Sequence, residues 1–391
     1  MSKKEYRTFP SPYAITTRLS DAELRHIKLS DVQEFPDPHM IYHDGVYYIY
    51  ATNHMGVAVA RSTDGLKSFE HMGLALMTEL IDDSSAYMFW APEVFYHNGT
   101  FYMHYSSSTF GSGGDPFEQR IHVATSNNPL GPFKNQQRIF LDPGPGETPH
   151  PEEWAIDPHM EYDSRSGEFV LFFAAKGWSP PKNGDKQKSR TGAGYGRDYK
   201  NPDNFYGTQI FMQQFSDPIT PVPNTRRLAV WATIREELSN PDNLGDNPTD
   251  YCLEGATYLE SEGTGFLMFS GNNWESPYYF ISYASWNLEG RMMDAEFTKH
   301  MVADADNRAE NFQPVLGADS DATGMGHHSI VIPSGDPPAG LSNTILTAHH
   351  GRPTASVLST LPSPDEANIR RLYVTEITAD DGCIIAHRHF E

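Results

Sequence analysis

An all-β fold, built from repeated strand units gathered about one axis, is predicted by three observations. The phrase Pro36-Asp37-Pro38-His39-Met40-Ile41-Tyr42 returns as Ile156-Asp157-Pro158-His159-Met160-Glu161-Tyr162. Each copy runs into an alternating aromatic and aliphatic strand, Val46-Tyr47-Tyr48-Ile49-Tyr50 and Phe169-Val170-Leu171-Phe172-Phe173. An aromatic content of 12%, with 31 Gly and 29 Pro, is that of many short strands joined by tight turns. A repeat that opens on the same acid brings equivalent strand starts to one axis, so carboxylates far apart in sequence meet in space.

Five segments follow the plan in order. The first is the Asp37 unit with its strand to Tyr50, then Gly56 to Ser62. The second is Phe89-Trp90-Ala91-Pro92-Glu93-Val94-Phe95-Tyr96, a turn at Asn98-Gly99, Phe101 to Tyr105, and an outer strand Ile121 to Ser126. The third is the Asp157 unit, returning through Gly207 to Met212. The fourth is Tyr251-Cys252-Leu253-Glu254-Gly255-Ala256-Thr257-Tyr258, then Gly265 to Ser270. The fifth is Gly324-Met325-Gly326-His327-His328-Ser329-Ile330-Val331, then Thr344 to His349, with strands around Arg371 to Val374 completing the last sheet, helped by the N-terminal segment. Period-2 alternation followed by an Asn-Gly or Gly-centred turn is a hairpin signal. Four strands per unit make a five-bladed β-propeller, a single domain over residues 31–391, with residues 1–30 as an N-terminal extension. A β-sandwich also uses such hairpins, but it does not explain the repeated acid.

Helical periodicity is scarce; the best candidate runs from Ser20 to Leu29, with Ser20 as N-cap and Glu23 three residues on. Residues 177–204, with a basic island from Lys182 to Lys200, and residues 236–250, with Pro241 and Pro248, read as solvated surface loops.

A formal net charge of −22 argues against nucleic acid or an anionic membrane as partner, since both would be repelled. No stretch approaches the ~20 apolar residues that cross a bilayer. The start Met1-Ser2-Lys3-Lys4-Glu5-Tyr6-Arg7 has no apolar segment behind its charges, so the expected address is cytoplasmic. Cys252 and Cys383 make no disulfide framework, and no CxxC pair suggests zinc.

Three carboxylates stand out because each opens an inner strand: Asp37, Asp157 and Glu254. Glycoside hydrolysis by inversion needs a base to activate water and an acid to protonate the leaving oxygen, with the carboxyls about 6.5–9.5 Å apart. A third carboxylate beside the acid raises its pKa and keeps it protonated near neutrality. Asp before Pro alone is common in turns. Two matching phrases plus the Leu-Glu-Gly unit say more.

The chain resembles glycoside hydrolase family 43, five-bladed propellers acting on arabinans and xylans. The resemblance covers roughly residues 31–391 and rests on Asp37-Pro38, Trp90-Ala91-Pro92-Glu93, Ile156-Asp157-Pro158, Glu254-Gly255, Gly326-His327-His328-Ser329, and the phrase Ala124 to Phe133. It implies Asp37 as general base, Asp157 as the residue tuning the acid, and Glu254 as general acid. It also implies a calcium or other ion on the propeller axis with His327 nearby, and no organic cofactor. Ala348-His349-His350-Gly351-Arg352-Pro353 is similar to the xylosidase segment whose arginine reaches the sugar, which implies Arg352 as a substrate-binding residue. Trp90 is a candidate apolar wall for a sugar face. The sequence departs from the family pattern at Ala256, where Pro is common, and at Glu93, where Asp is frequent.

The expected activity is release of arabinofuranosyl or xylosyl units from hemicellulose- or pectin-derived oligosaccharides, with endo-arabinanase action or non-catalytic carbohydrate binding as alternatives. Related propellers cleave fructans by retention, but they carry Arg-Asp-Pro where Ile156 precedes Asp157 here. A retaining pair would also stand only about 5–5.5 Å apart.

Overall fold

The structure, a computed structural model, describes residues 6–20, 32–77, 86–109, 119–142, 154–176, 206–239, 250–305, 308–335, 341, 343–361 and 369–388. The candidate helix Ser20 to Leu29 falls almost wholly outside the described residues, and so do residues 177–204 and most of 236–250.

Among the described residues five antiparallel units follow one another. The first holds β1 (Ile15–Thr17), β2 (His39–His43), β3 (Val46–Thr52), β4 (Gly56–Ser62) and β5 (Phe69–Met77). The second holds β6 (Ala86–His97), β7 (Thr100–Thr109), β8 (Arg120–Ser126) and β9 (Lys134–Arg138). The third holds β10 (Ala155–Asp163), β11 (Glu168–Lys176), β12 (Tyr206–Phe215) and β13 (Arg227–Val230). The fourth holds β14 (Asp250–Ser261), β15 (Thr264–Gly271), β16 (Phe280–Asn287) and β17 (Thr298–Lys299). The fifth holds β18 (Ala322–Val331), β19 (Ile345–Pro353), β20 (Arg371–Asp380) and β21 (Cys383–His387). The third and fourth units share one sheet of eight strands, because β12 and β14 pair in parallel over three residues, Tyr206 with Asp250 to Thr208 with Cys252.

The strands form where they do because their side chains divide between two cores. Along β11, Val170, Phe172 and Ala174 join a cluster with Leu253, Leu267 and Phe269 of the fourth unit. Leu171, Phe173 and Ala175, pointing the other way, join a cluster with Ile121 and Val123 of the second unit. A continuous apolar run is therefore a period-2 strand serving two interfaces. Similar clusters join the first unit to the second, the fourth to the fifth, and the fifth back to the first. The inner strands follow the same cycle: β2 contacts β6, β6 contacts β10, β10 contacts β14, β14 contacts β18, and β18 contacts β2.

The N-terminal segment does not complete the last sheet, as its sequence position suggested. Instead β1 pairs in parallel with β5 on the outer edge of the first sheet. It still touches the fifth unit: the amide of Tyr13 donates to the Leu372 carbonyl at 3.0 Å, and that of Arg7 to Glu376 at 3.0 Å. Tyr13 and Ile15 are buried in the cluster that joins the first and fifth units. Among the described residues no helix is long and apolar enough to cross a membrane.

Candidate active site

In each inner strand, or just before it, a residue in the left-handed region stands at an equivalent place. These are Asp37 (φ 52°), Ala91 (φ 43°), Asp157 (φ 55°), Gly255 (φ 59°) and His327 (φ 38°). In β6, β10, β14 and β18 the antiparallel register is interrupted at this point. Such bulges re-aim side chains, and a non-glycine residue adopts this conformation only when its surroundings hold it there. Asp157 and Glu254 therefore do not open their strands, as the sequence suggested. β10 begins at Ala155 and β14 at Asp250, and the acids sit at the break in the ladder. His327 is the fifth-unit counterpart of Asp37 and Asp157, which explains its place: its Nδ1 lies 3.5 Å from Asp37 Oδ1 and 3.8 Å from Asp157 Oδ2.

Asp37 is fixed from all sides. Its amide donates to His350 Nδ1 at 3.1 Å, Thr52 Oγ1 donates to its Oδ2 at 2.6 Å, and Arg370 Nη1 donates to its Oδ1 at 3.2 Å. Thr52 Oγ1 in turn accepts the Ala91 amide at 2.8 Å, tying the first unit to the second. Burial pushes the Asp37 carboxyl up, but Arg370, His327 and His350 together outweigh it and hold the group well below the carboxylate range. Asp37 is thus ionised at neutral pH.

The other two acids are shifted the opposite way. Burial, then the charges of Glu254 and Asp37, raise the Asp157 carboxyl well above its ordinary value. Its amide donates to Ser106 Oγ at 3.1 Å, and its Oδ2 accepts the Gly255 amide at 3.0 Å, directly beside Glu254. Burial raises Glu254 to about 7, against a hydrogen bond from the Tyr279 hydroxyl to Oε1 at 2.8 Å. The Cys252 thiol, on the same face of β14, also hydrogen-bonds this carboxyl. Near neutrality the site therefore holds an ionised carboxylate opposite a protonated one, as acid–base cleavage requires.

The remaining expected residues fall as follows. Trp90 is half-buried and packs against the cluster shared by the third and fourth units. Arg352 donates to the Trp274 carbonyl at 2.7 Å and lies over the Trp274 ring at 5.6 Å, while Arg370 lies over the same ring at 4.3 Å. The arginine that reaches one of the three candidate carboxylates is thus Arg370, which sequence reasoning missed. Tyr279 and His350 were missed as site partners as well. Glu93 is a staple: it bonds His159 Nδ1 at 2.6 Å and accepts the Met160 amide at 2.9 Å, so the longer acid spans to the third unit.

A cavity of ≈ 10 Å³, room for one water-sized particle, is lined by residues including Asp37, His39, Glu93, Asp157 and His327. Among the described residues no three potential ligands converge to hold a metal. Calcium prefers six to eight oxygen donors, so these residues do not form a calcium cage. A cavity of ≈ 460 Å³, lined by residues including Asn272, Tyr278, Phe280 and Phe312, contains none of the three acids.

Residues 32–336 match the family model described as "Glycosyl hydrolases family 43". A curated relative, a probable arabinan endo-1,5-alpha-L-arabinosidase B of Aspergillus fumigatus, is 29% identical over 142 residues. That match spans 35% of this chain and 37% of the relative. A thermostable family-43 glycoside hydrolase has a similar fold, with TM-score 0.63 and 24% identity, covering 91% of this chain and 93% of the other. An endo-1,4-beta-xylanase from Bacteroides thetaiotaomicron follows at TM-score 0.59 and 21% identity, covering 91% of this chain and 95% of the other. At these identities the structural likeness is one of fold.

Proposed function

Because the chain belongs to the glycosyl hydrolases of family 43, we propose that it cleaves glycosidic bonds with inversion, releasing arabinofuranosyl or xylosyl units from hemicellulose- or pectin-derived oligosaccharides. The observation that carries this reading is the unlike setting of the carboxyls: Arg370 meets Asp37 at 3.2 Å, while Glu254 is buried beside Asp157 and away from that guanidinium's hydrogen bonds. Asp37, held ionised beside Arg370, takes the proton of a water attacking the anomeric carbon. Glu254, raised to about 7, gives its proton to the leaving oxygen. Asp157 stands beside Glu254, and its Oδ2 accepts the Gly255 amide at 3.0 Å, so it orients the strand segment that carries the acid. Trp90 and Arg352 are assigned to the sugar-binding rim.

The architecture proposed for this site is a single five-bladed propeller over residues 31–391. Its support is the cycle of inner strands and the cluster between each pair of successive units. An axial calcium near His327 belongs to the same reading and would be held largely by water; no step above depends on it. A cytoplasmic address belongs to the same reading and favours trimming of short imported oligosaccharides over attack on polymers.

The test is hydrolysis of aryl α-L-arabinofuranoside, aryl β-D-xyloside and arabino- and xylo-oligosaccharides by the wild type and Asp37→Asn, with the released anomer followed by NMR. Inverted product, lost in the variant, is expected. Retained configuration would overturn the mechanism, and no turnover on any substrate would leave carbohydrate binding as the function. Endo-arabinanase action is the second reading, favoured by the name of the curated Aspergillus relative. It would release oligomers rather than single sugars from linear arabinan.

A further inference from the structure

Three hydroxyl or amide groups line up behind Glu254, all donating in one direction. The His327 amide donates to Ser270 Oγ at 2.8 Å. With its oxygen so engaged, the Ser270 hydroxyl turns its hydrogen to the Tyr279 oxygen, to which it is hydrogen-bonded. The Tyr279 hydroxyl donates in turn to Glu254 Oε1 at 2.8 Å. Aligned hydroxyls polarise one another, so the last bond of such a chain is strengthened.

The Tyr279 ring has no freedom to leave this position. It is fully buried, lies nearly parallel to His350 at 5.7 Å between ring centroids, and covers the backbone of Gly326, where a β-carbon would strike its ring. His350 is the ring that accepts the Asp37 amide. One aromatic side chain therefore touches the support of the base and the carboxyl of the acid.

Resting on the reading of Glu254 as general acid, we propose that Tyr279 is a positioning residue which keeps Oε1 an acceptor, so that the proton delivered to the leaving group resides on Oε2. A carboxyl has two oxygens and one transferable proton. With Oε1 accepting the Tyr279 hydroxyl at 2.8 Å, a stronger donor than the Cys252 thiol that also bonds this carboxyl, the transferable hydrogen falls to Oε2. After transfer, the same bond stabilises the carboxylate that remains. The Gly324-x-Gly326-His327 motif takes on a second role here: Gly326 makes room for the ring, and the His327 amide starts the chain.

Tyr279→Phe removes the hydroxyl and keeps the packing on Gly326 and His350. The bond it removes favours the charged carboxylate, so its loss raises the acid's pKa. The alkaline limb of kcat/KM is expected to move up by about one pH unit. On substrates with poor leaving groups, kcat is expected to fall about tenfold or more, with aryl glycosides of activated leaving groups affected much less. Ser270→Ala, which cuts the chain one link back, is expected to move the limb in the same direction by less, and it decides the matter if Tyr279→Phe does not fold. A loss of activity with an unmoved alkaline limb, equal on both leaving-group classes, would assign Tyr279 a merely structural role. Glu254→Gln is the control: if it keeps the alkaline limb and the leaving-group dependence of the wild type, the acid assignment itself has failed, rather than this proposal alone.

Discussion

Arg370 meets Asp37 across 333 residues of chain, its Nη1 3.2 Å from Oδ1. That contact is the largest of those that, with His327 and His350, outweigh burial and keep the carboxyl ionised.

Arg370→Ala is therefore expected to raise the Asp37 pKa. A base must be ionised to act, so activity falls as pH drops through that pKa. The acid limb of kcat/KM should move to higher pH by about one unit or more, read from a pH–rate profile. An unmoved acid limb would mean that Arg370 does not set the base.

Glu254→Gln is expected to lower kcat by about 10²–10⁴-fold on oligosaccharides, whose leaving groups need a proton. Aryl glycosides with activated leaving groups should lose far less. Equal losses on both would argue against Glu254 as the acid.

The same variant should be more stable than the wild type at alkaline pH. Folding raises Glu254 from 4.5 to about 7, so its favourable contribution is full below the unfolded value and is lost as pH rises through the folded one. Glutamine does not titrate. Thermal unfolding from about pH 4 to pH 8 should show a gap that opens with pH, by up to about 3 kcal/mol.

Gly326→Ala would place a β-carbon in the Tyr279 ring. Overpacking of this kind costs about 1–3 kcal/mol. Urea denaturation should report that loss, and the displaced tyrosine should add a fall in kcat larger than any rise in KM.

Away from the site, Glu237 and Lys299 form a buried ion pair, with the amides of Thr233 and Ile234 also bound to Glu237. Glu237→Gln removes the charge that balances a buried ammonium and should cost about 3–5 kcal/mol in urea denaturation.

The three acids were legible in the sequence because the fold repeats, and repetition puts Asp37 and Asp157 in the same phrase. The repeat could not announce Glu254 in the same way: in the fourth unit the left-handed position belongs to Gly255, and the acid stands one residue earlier. Arg370, His350 and Tyr279 left no signal, since each reaches the acids from a separate strand or loop at no fixed spacing. Arg352, chosen from the similarity of its segment, lies over the same tryptophan as Arg370, while Arg370 holds the carboxylate. The N-terminal strand was misplaced for a related reason. Ile15–Thr17 has no alternation long enough to specify which sheet edge it joins.

The surroundings of Asp37 are drawn from both ends of the chain. A ribosome that has delivered residues 1–340 has already made all three carboxylates, yet neither His350 nor Arg370 exists to set the first of them. A nascent chain therefore carries no working base until its last strands emerge. A chain cut short before the fifth unit would likewise lack both partners of Asp37 and the His327 amide that starts the chain of donors behind Glu254.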